Sequence, residues 1–418
     1  MSKLMIYGGK PLKGTVKVQG SKNSALPILA AAMLTDETCV IENCPDLSDI
    51  SAAIEIIKSL GADAEFDGNT AVVRAKTADC AVISETLMRR MRSSVLFLGT
   101  LLSRFGNARI SYPGGCALGL RPIDIHLDSM RRLGVRFEEN DGYITARLDK
   151  FVPNTITFMF PSVGATENIL LLCAVSKGET ILVNPAREPE IVDLQNFLNC
   201  MGADISGAGT DYIRIRGAAR LHGCTYSVIP DRVAAATYAC AAAACGGEVE
   251  LTGAEPAHLR MLLSVLKDMG ASVGVDDDII RLEMDRRTSA VPLIRTMPYP
   301  GFPTDMQPLL MAALLKSEGT SVVSETIFEN RFKHIGEFLR MGADIRVEDR
   351  NAIIKGVQSL HGAELCAADL RGGAALAIAG LSAEGCTQID NTEYIQRGYE
   401  HIDKAFNALG GDVSVVRI

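Results

Sequence analysis

The residues of this chain that could do chemistry are mostly cations and carboxylates, and they fall where Ala- or Leu-rich segments begin: Lys22 with Asn23, Arg92, Arg121, the 162–166 stretch from Ser162, Asp231 with Arg232, Thr304 with Asp305, Arg331, Asp369 with Arg371, and Arg397. A helix start offers free N–H groups and a partial positive charge, so a lysine or arginine there is locally unfavourable unless an anion compensates. One such residue reads as a solvated charge. Recurring at matching places in both halves, with Lys22, Arg121, Arg331, Arg371 and Arg397 as the cations, the pattern predicts a site for a small, multiply charged anion.

Two further residues carry reactivity. Cys116 lies among Gly114, Gly115 and Gly119, a loop read as mobile and exposed, with Arg121 five residues on and Pro122 at a predicted first helical position. Positive charge brought near the thiol lowers its pKa and makes it reactive. The plainer reading is a small buried cysteine, which the sequence predicts for most of the other ten. Asp305, with Thr304, is delivered to a predicted helix start by a rigid, turn-rich segment, 297–306, and has two roles open: a helix cap, or a general base that takes the proton of a hydroxyl acceptor.

The elements that must position these residues repeat. Leu-Gly or Met-Gly followed by a small residue and a strand-like stretch occurs at Gly61, Gly134, Gly202, Gly270, Gly342 and Gly410, at successive separations of 73, 68, 68, 72 and 68 residues. Each glycine closes an amphipathic stretch, such as Ile54, Ile57 and Leu60, or Leu263, Leu266 and Met269, as a helix with a glycine cap would. Upstream in each unit lies an Ala/Leu-rich helix and a β-branched strand. The unit therefore reads as helix, strand, helix, strand, and six units predict two α/β domains of three units each, divided near residues 226–230. A solenoid is the competing architecture. Its repeats usually span about 20–50 residues, shorter than these.

Composition narrows the function. With 418 residues, 47% of them hydrophobic, the chain is long enough for two cores. A net charge of -8 and a pI near 5.4 disfavour a general nucleic-acid or membrane-surface binder. The longest apolar runs, 27–34 and 234–245, are too short to span a bilayer and read as buried helices. Eleven cysteines without a CxxC pair point to a reducing cytosol rather than a disulfide framework, and no secretory signal is evident at the start. No metal-ligand spacing, phosphate-binding P-loop or dinucleotide fingerprint is present, so neither a metal nor a cofactor is expected.

Over essentially its whole length the sequence resembles the UDP-N-acetylglucosamine 1-carboxyvinyltransferase family, which acts at the first committed step of peptidoglycan synthesis. The resemblance rests on Gly20-Ser-Lys-Asn-Ser-Ala-Leu26, the Pro-Gly-Gly-Cys116 loop with Arg121-Pro-Ile-Asp-Ile-His126, Ser162-Val-Gly-Ala-Thr-Glu-Asn168, Ala186-Arg-Glu-Pro-Glu-Ile191, Phe302-Pro-Thr-Asp-Met306, Phe328-Glu-Asn-Arg-Phe332, Asp369-Leu-Arg371 and Arg397-Gly-Tyr-Glu400. It implies an inside-out α/β barrel of two domains: 22–229 with the Cys116 loop, and 1–21 plus 230–418 with Asp305, with the active site in the cleft between them. It further implies that Lys22, Asn23, Arg92, Arg121, Arg371 and Arg397 surround phosphoenolpyruvate. The UDP-sugar would be held by Asn23, Arg92, Arg121, Pro122, Ile123, Asp124, Ile125, His126, Ser162, Val163, Gly164, Thr304, Asp305, Ile327, Phe328 and Arg331. Lys22, Cys116, Asp305 and Arg397 would be the catalytic set.

The chain departs from the family pattern in two places. Val233-Ala-Ala-Ala236 lacks a glutamate expected at 234 and a glycine near 236, and Phe160-Pro161 stands where other members carry a lysine. Two alternatives stand beside this reading: the related 3-phosphoshikimate 1-carboxyvinyltransferase, which shares the fold and chemistry but from which the Cys116 loop and the 302–306 motif point away, and a non-catalytic paralogue that binds a nucleotide sugar.

Overall fold

The computed structural model describes residues 2–114 and 123–417. Cys116, Arg121 and Pro122 lie outside the described residues. The described chain forms two compact units, one running to Gln19 and resuming at Pro230, the other occupying the chain from Gly20 to Ile229.

The Gly20 to Ile229 unit holds α1 (Lys22–Ala32), α2 (Ser48–Ser59), α3 (Glu85–Arg90), α4 (Phe97–Phe105), α5 (Asp124–Arg132), α6 (Val163–Cys173) and α7 (Pro189–Cys200). Of these, α1, α4 and α6 pack on one another and are apolar nearly all round, which is the pattern of a helix buried on every side. Small residues in α1 (Ala25, Ala30, Ala31, Ala32) let the three backbones approach closely. By contrast, α2 and α7 have two faces. In α2, Ile50, Ile54 and Ile57 are buried while Glu55 and Lys58 face solvent.

Around these helices stand three small sheets, each with one face on the core. Thr38–Glu42 pairs antiparallel with Thr70–Arg74, which pairs with Asp63–Asp67, and Thr225–Ser227 joins the first strand in parallel. The sheet containing Glu179–Val183 has the same order, and a three-stranded sheet is built on Asn107–Ser111.

The second unit repeats the plan with α8 (Arg232–Cys245), α9 (Arg260–Asp268), α10 (Gln307–Leu314), α11 (Ile335–Arg340), α12 (Leu370–Ser382), α13 (Glu393–Gln396) and α14 (Ile402–Ala408). Its central helices are α8, α10 and α12, again mutually packed and buried. The chain's first two strands belong here. Ser2–Tyr7 lies antiparallel between Cys386–Asp390 and Val413–Arg417, and Leu12–Lys17 runs parallel to Gly247–Thr252. Each unit has its own hydrophobic core.

The six repeat glycines all take positive φ, between 83° and 104°, one residue past a capping Leu or Met. This left-handed step turns the chain from the amphipathic helix into the next strand, and a side chain there would be strained. The repeat itself is richer than helix, strand, helix, strand. The amphipathic helix is followed by a hairpin, not a single strand, and a further short strand lies parallel to the first. Left-handed Asp141, Asp277 and Asp349 turn three of these hairpins tightly, joining strands too short and too polar on one face to announce themselves as separate elements.

Candidate active site

In the Gly20 to Ile229 unit, the start of α1 places Lys22 as its first residue, 8% exposed, with Nζ 3.1 Å from the Asp49 Oδ2 at the start of α2. A buried cation at a helix start is opposed both by desolvation and by the helix dipole, and the Asp49 carboxylate offsets part of that cost. Asn23, next in α1, is half-buried. Arg92, also half-buried, opens the 3₁₀ turn that leads into α4.

Ser162 caps α6, its Oγ accepting the Ala165 N–H at 3.4 Å, and half-buried Val163 and Gly164 form the first turn. The α5 start brings Ile123, Asp124, Ile125 and His126. Ile123 and His126 are buried, Asp124 is exposed, and the His126 Nδ1 lies 2.9 Å from the Asn168 amide on α6. The helix α5 begins at Asp124, with Ile123 as its cap residue. Three carboxylates gather near the starts of α6 and α7: burial, then the charges of Glu190 and Glu188, push the Glu167 carboxyl well above the usual range.

The second unit builds its cluster around Asp305. The Arg331 Nη2 reaches the Asp305 Oδ1 at 2.8 Å, and the Arg371 Nε reaches Oδ2 at 3.4 Å. Both arginine side chains are almost wholly buried, whereas the carboxylate is one-third exposed. Arg331 also donates to the Thr304 carbonyl through Nε and Nη2, and Arg371 donates from Nη1 to the Tyr399 hydroxyl at 3.3 Å. Two guanidinium groups on one carboxylate favour its ionised form. The Asp305 side chain stays one-third exposed between them.

Glu325, 1% exposed, knits this region together. Its Oε2 accepts the Thr304 hydroxyl at 3.0 Å, and its Oε1 accepts the Thr296 hydroxyl and the N–H groups of Ile327 and Phe328 at 2.8 to 3.0 Å. The Thr304 side chain and the Ile327 and Phe328 backbone, predicted as separate contacts, are in this way tied to one buried carboxylate.

Several expectations change. Asp305 is not a helix cap: α10 begins at Gln307 behind Met306, and no side chain caps it. Its carboxylate is taken up by two arginines that are remote in sequence, which no local signal reveals. Arg331 lies in the turn before α11 rather than at its first residue. Arg397 is the C-cap of α13, a four-residue helix too short to leave a periodic trace, and a cation there suits the negative helix end. Of the ten described cysteines only Cys39, Cys44, Cys173 and Cys240 are buried, fewer than the sequence predicts.

Ala234 and Ala236, at the departure from the family pattern, are fully buried in α8, and Asp231 caps that helix through the Val233 and Ala234 N–H groups. Phe160 is 44% exposed. Asp49, Glu325 and Tyr399 bond to candidate site residues and are not among those the sequence points to. Only Asp49, an acid in the first turn of a helix, left a local sign. Among the described residues no group of three or more His, Cys, Asp or Glu could hold a metal ion.

Known structures share this architecture. The fold matches an enolpyruvyl transferase, NikO from Streptomyces tendae, with a TM-score of 0.90 over 99% of both chains at 30% identity. It matches EPSP synthase from Acinetobacter baumannii with a TM-score of 0.78 over both full chains at 20% identity, a likeness of fold alone. The molecule is therefore built as an enolpyruvyl transferase. The sequence model of the EPSP synthase (3-phosphoshikimate 1-carboxyvinyltransferase) family matches residues 6–406. Two relatives are UDP-N-acetylglucosamine 1-carboxyvinyltransferase 2 of Caldanaerobacter subterraneus subsp. tengcongensis, 50% identical over 99% of both chains, and UDP-N-acetylglucosamine 1-carboxyvinyltransferase 1 of Carboxydothermus hydrogenoformans, 48% identical over 100% of this chain and 99% of that one. The chain belongs to the UDP-N-acetylglucosamine 1-carboxyvinyltransferase family.

Proposed function

We propose that this enzyme transfers the enolpyruvyl group of phosphoenolpyruvate to the 3-hydroxyl of UDP-N-acetylglucosamine and releases phosphate, supplying cytosolic peptidoglycan synthesis. The observation that carries the reading is the Asp305 carboxylate, one-third exposed and held by Arg331 and Arg371. Asp305 accepts the proton of the sugar hydroxyl as its oxygen attacks C2 of phosphoenolpyruvate. Protonation at C3 generates the electron-poor C2, and the resemblance gives that proton to Cys116. A tetrahedral adduct forms, then loses phosphate as a proton leaves C3.

Lys22, Arg92, Arg121, Arg371 and Arg397, with Asn23, neutralise the carboxylate and phosphate of phosphoenolpyruvate. That is electrostatic work, the kind that oriented cations do best in a site that excludes water. The 3-hydroxyl substrate is assigned to the α5 and α6 starts and to Thr304, Ile327, Phe328 and Arg331. In this division of labour residues 22–229 contribute the Cys116 loop and residues 230–418 contribute Asp305. The 3-phosphoshikimate alternative is disfavoured because its support in solved structures is at 20% identity, against 44 to 50% for UDP-N-acetylglucosamine enzymes.

Phosphate release tests the reading. It should require phosphoenolpyruvate and UDP-N-acetylglucosamine together, and shikimate 3-phosphate should not replace the sugar nucleotide. Release with shikimate 3-phosphate alone as acceptor would reverse the assignment, and binding of the sugar nucleotide with no release would favour a paralogue without catalysis.

A further inference from the structure

Asn168 is fully buried in the middle of α6, where an amide is tolerated only if its hydrogen bonds are met inside the protein. They are met on three sides. The Asn168 Oδ1 accepts the Gly99 N–H at 2.8 Å, Nδ2 donates to the Val95 carbonyl at 3.0 Å, and the same Nδ2 lies 2.9 Å from the His126 Nδ1. The two backbone partners decide which end of the amide is which. Exchanging its oxygen and nitrogen would set an NH2 against the Gly99 N–H and bring two carbonyl oxygens together at Val95. The group that faces the His126 Nδ1 is therefore an N–H donor, and Nδ1 must offer its lone pair.

An imidazole that accepts at Nδ1 carries its single proton on Nε2. The imidazolium form would put a second hydrogen on Nδ1, directly against the Asn168 donor. His126 also sits in the first turn of α5, where the helix end disfavours an added positive charge. Two glycines make the arrangement possible. A Cβ at Gly99 would stand 2.4 Å from the Asn168 carbonyl oxygen and 2.8 Å from its Oδ1, so only glycine lets α4 come this near to α6. A Cβ at Gly164 would stand 3.0 Å from the His126 Cε1 and 3.2 Å from Nε2, so the protonated edge of the ring rests against the first turn of α6.

We propose that Asn168 is a positioning residue that locks His126 as the neutral tautomer protonated at Nε2. The ring then serves as a fixed, uncharged donor. Such a donor suits a carbonyl, hydroxyl or phosphate oxygen of a sugar nucleotide, and it adds no cation to compete with Lys22 and the arginines for the other substrate's anionic groups.

The spectroscopic test stands by itself, and only its kinetic arm rests on the reading of His126 as a sugar-nucleotide contact. In the full-length protein labelled with nitrogen-15, the His126 signals are those lost in His126→Gln. At neutral pH they should show a protonated Nε2 and an unprotonated Nδ1; the opposite tautomer, or an imidazolium, would overturn the proposal. Asn168→Asp replaces the donor by an acceptor and should draw the proton to Nδ1, so an unchanged His126 spectrum in that variant also overturns it. Should the variant fail to fold, the wild-type spectrum decides. With the proton moved, the KM for UDP-N-acetylglucosamine should rise about three- to tenfold, as expected for one lost hydrogen bond, while kcat changes less. A moved proton with an unchanged KM would leave the role of Asn168 intact and remove His126 from the sugar-nucleotide site.

Discussion

Asp305 shares one carboxylate between the Arg331 and Arg371 guanidinium groups, and this geometry separates two consequences of removing its charge. Asp305→Asn keeps the volume but turns an NH2 toward one arginine and removes the proton acceptor. We expect kcat to fall by about 100- to 10,000-fold while UDP-N-acetylglucosamine still binds, read by phosphate release and calorimetry. A kcat within a few-fold of wild type would leave Asp305 as a counter-ion only. For the Lys22–Asp49 pair, at 3.1 Å and largely buried, Asp49→Ala should lower stability by about 1.5 to 3 kcal/mol in urea unfolding and raise the KM for phosphoenolpyruvate, because Lys22 loses the group that aims it. Were Asp49 only a support for α2, the double variant Lys22→Ala with Asp49→Ala would show additive effects, whereas coupling predicts less than additive loss.

At the scale of elements, a strand end is held here by polar contacts to residues remote in sequence. The end of Thr320–Ser324 shows it: Glu325 follows the strand and gathers Thr296, Thr304 and two backbone N–H groups with its single carboxylate. Glu325→Gln brings an NH2 where only acceptors fit. The expected loss is about 1 to 3 kcal/mol of stability, with a higher KM for the sugar nucleotide and a smaller change in kcat, since the turn carrying Ile327 and Phe328 loosens while Asp305 keeps both arginines. Unfolding curves and steady-state kinetics of that one variant check both halves.

At the scale of the whole molecule, each unit has its own core, and buried ionisable groups give the two units opposite responses to acid. Burial lowers the His334 pKa from its ordinary 6.5 to about 4, despite the nearby Asp369 charge. Between those values the unfolded chain binds the proton that folded His334 refuses, so stability falls as pH drops from 6.5 toward 4, by up to about 3 kcal/mol. Glu167 in the Gly20 to Ile229 unit has the reverse sign: its raised carboxyl pKa gives stability that is full at low pH and is lost as pH rises from the unfolded value near 4.5 through the folded one. Calorimetry at pH 5 should therefore show the two units' transitions drawn apart relative to pH 7. His334→Phe should abolish most of the acid sensitivity of its unit, and a single transition that moves equally with pH in both proteins would contradict this account.

The sequence alone determined what is local. The glycine steps at 61, 134, 202, 270, 342 and 410, the buried face of α2, and the caps Ser162, Asp231 and Asp369 are set by interactions within about one helical turn, so type and spacing suffice to read them. The quoted motifs likewise identified the family. Tertiary structure decided the rest, because a partner's identity depends on which distant segments the fold brings together. Asp49 for Lys22, Arg331 and Arg371 for Asp305, Gly99 and His126 for Asn168, and the strands at both sides of Ser2–Tyr7 are such partners. Arg397 marks the boundary between the two: its segment is too short for a periodic pattern, and only the folded chain shows that it closes a helix rather than opening one.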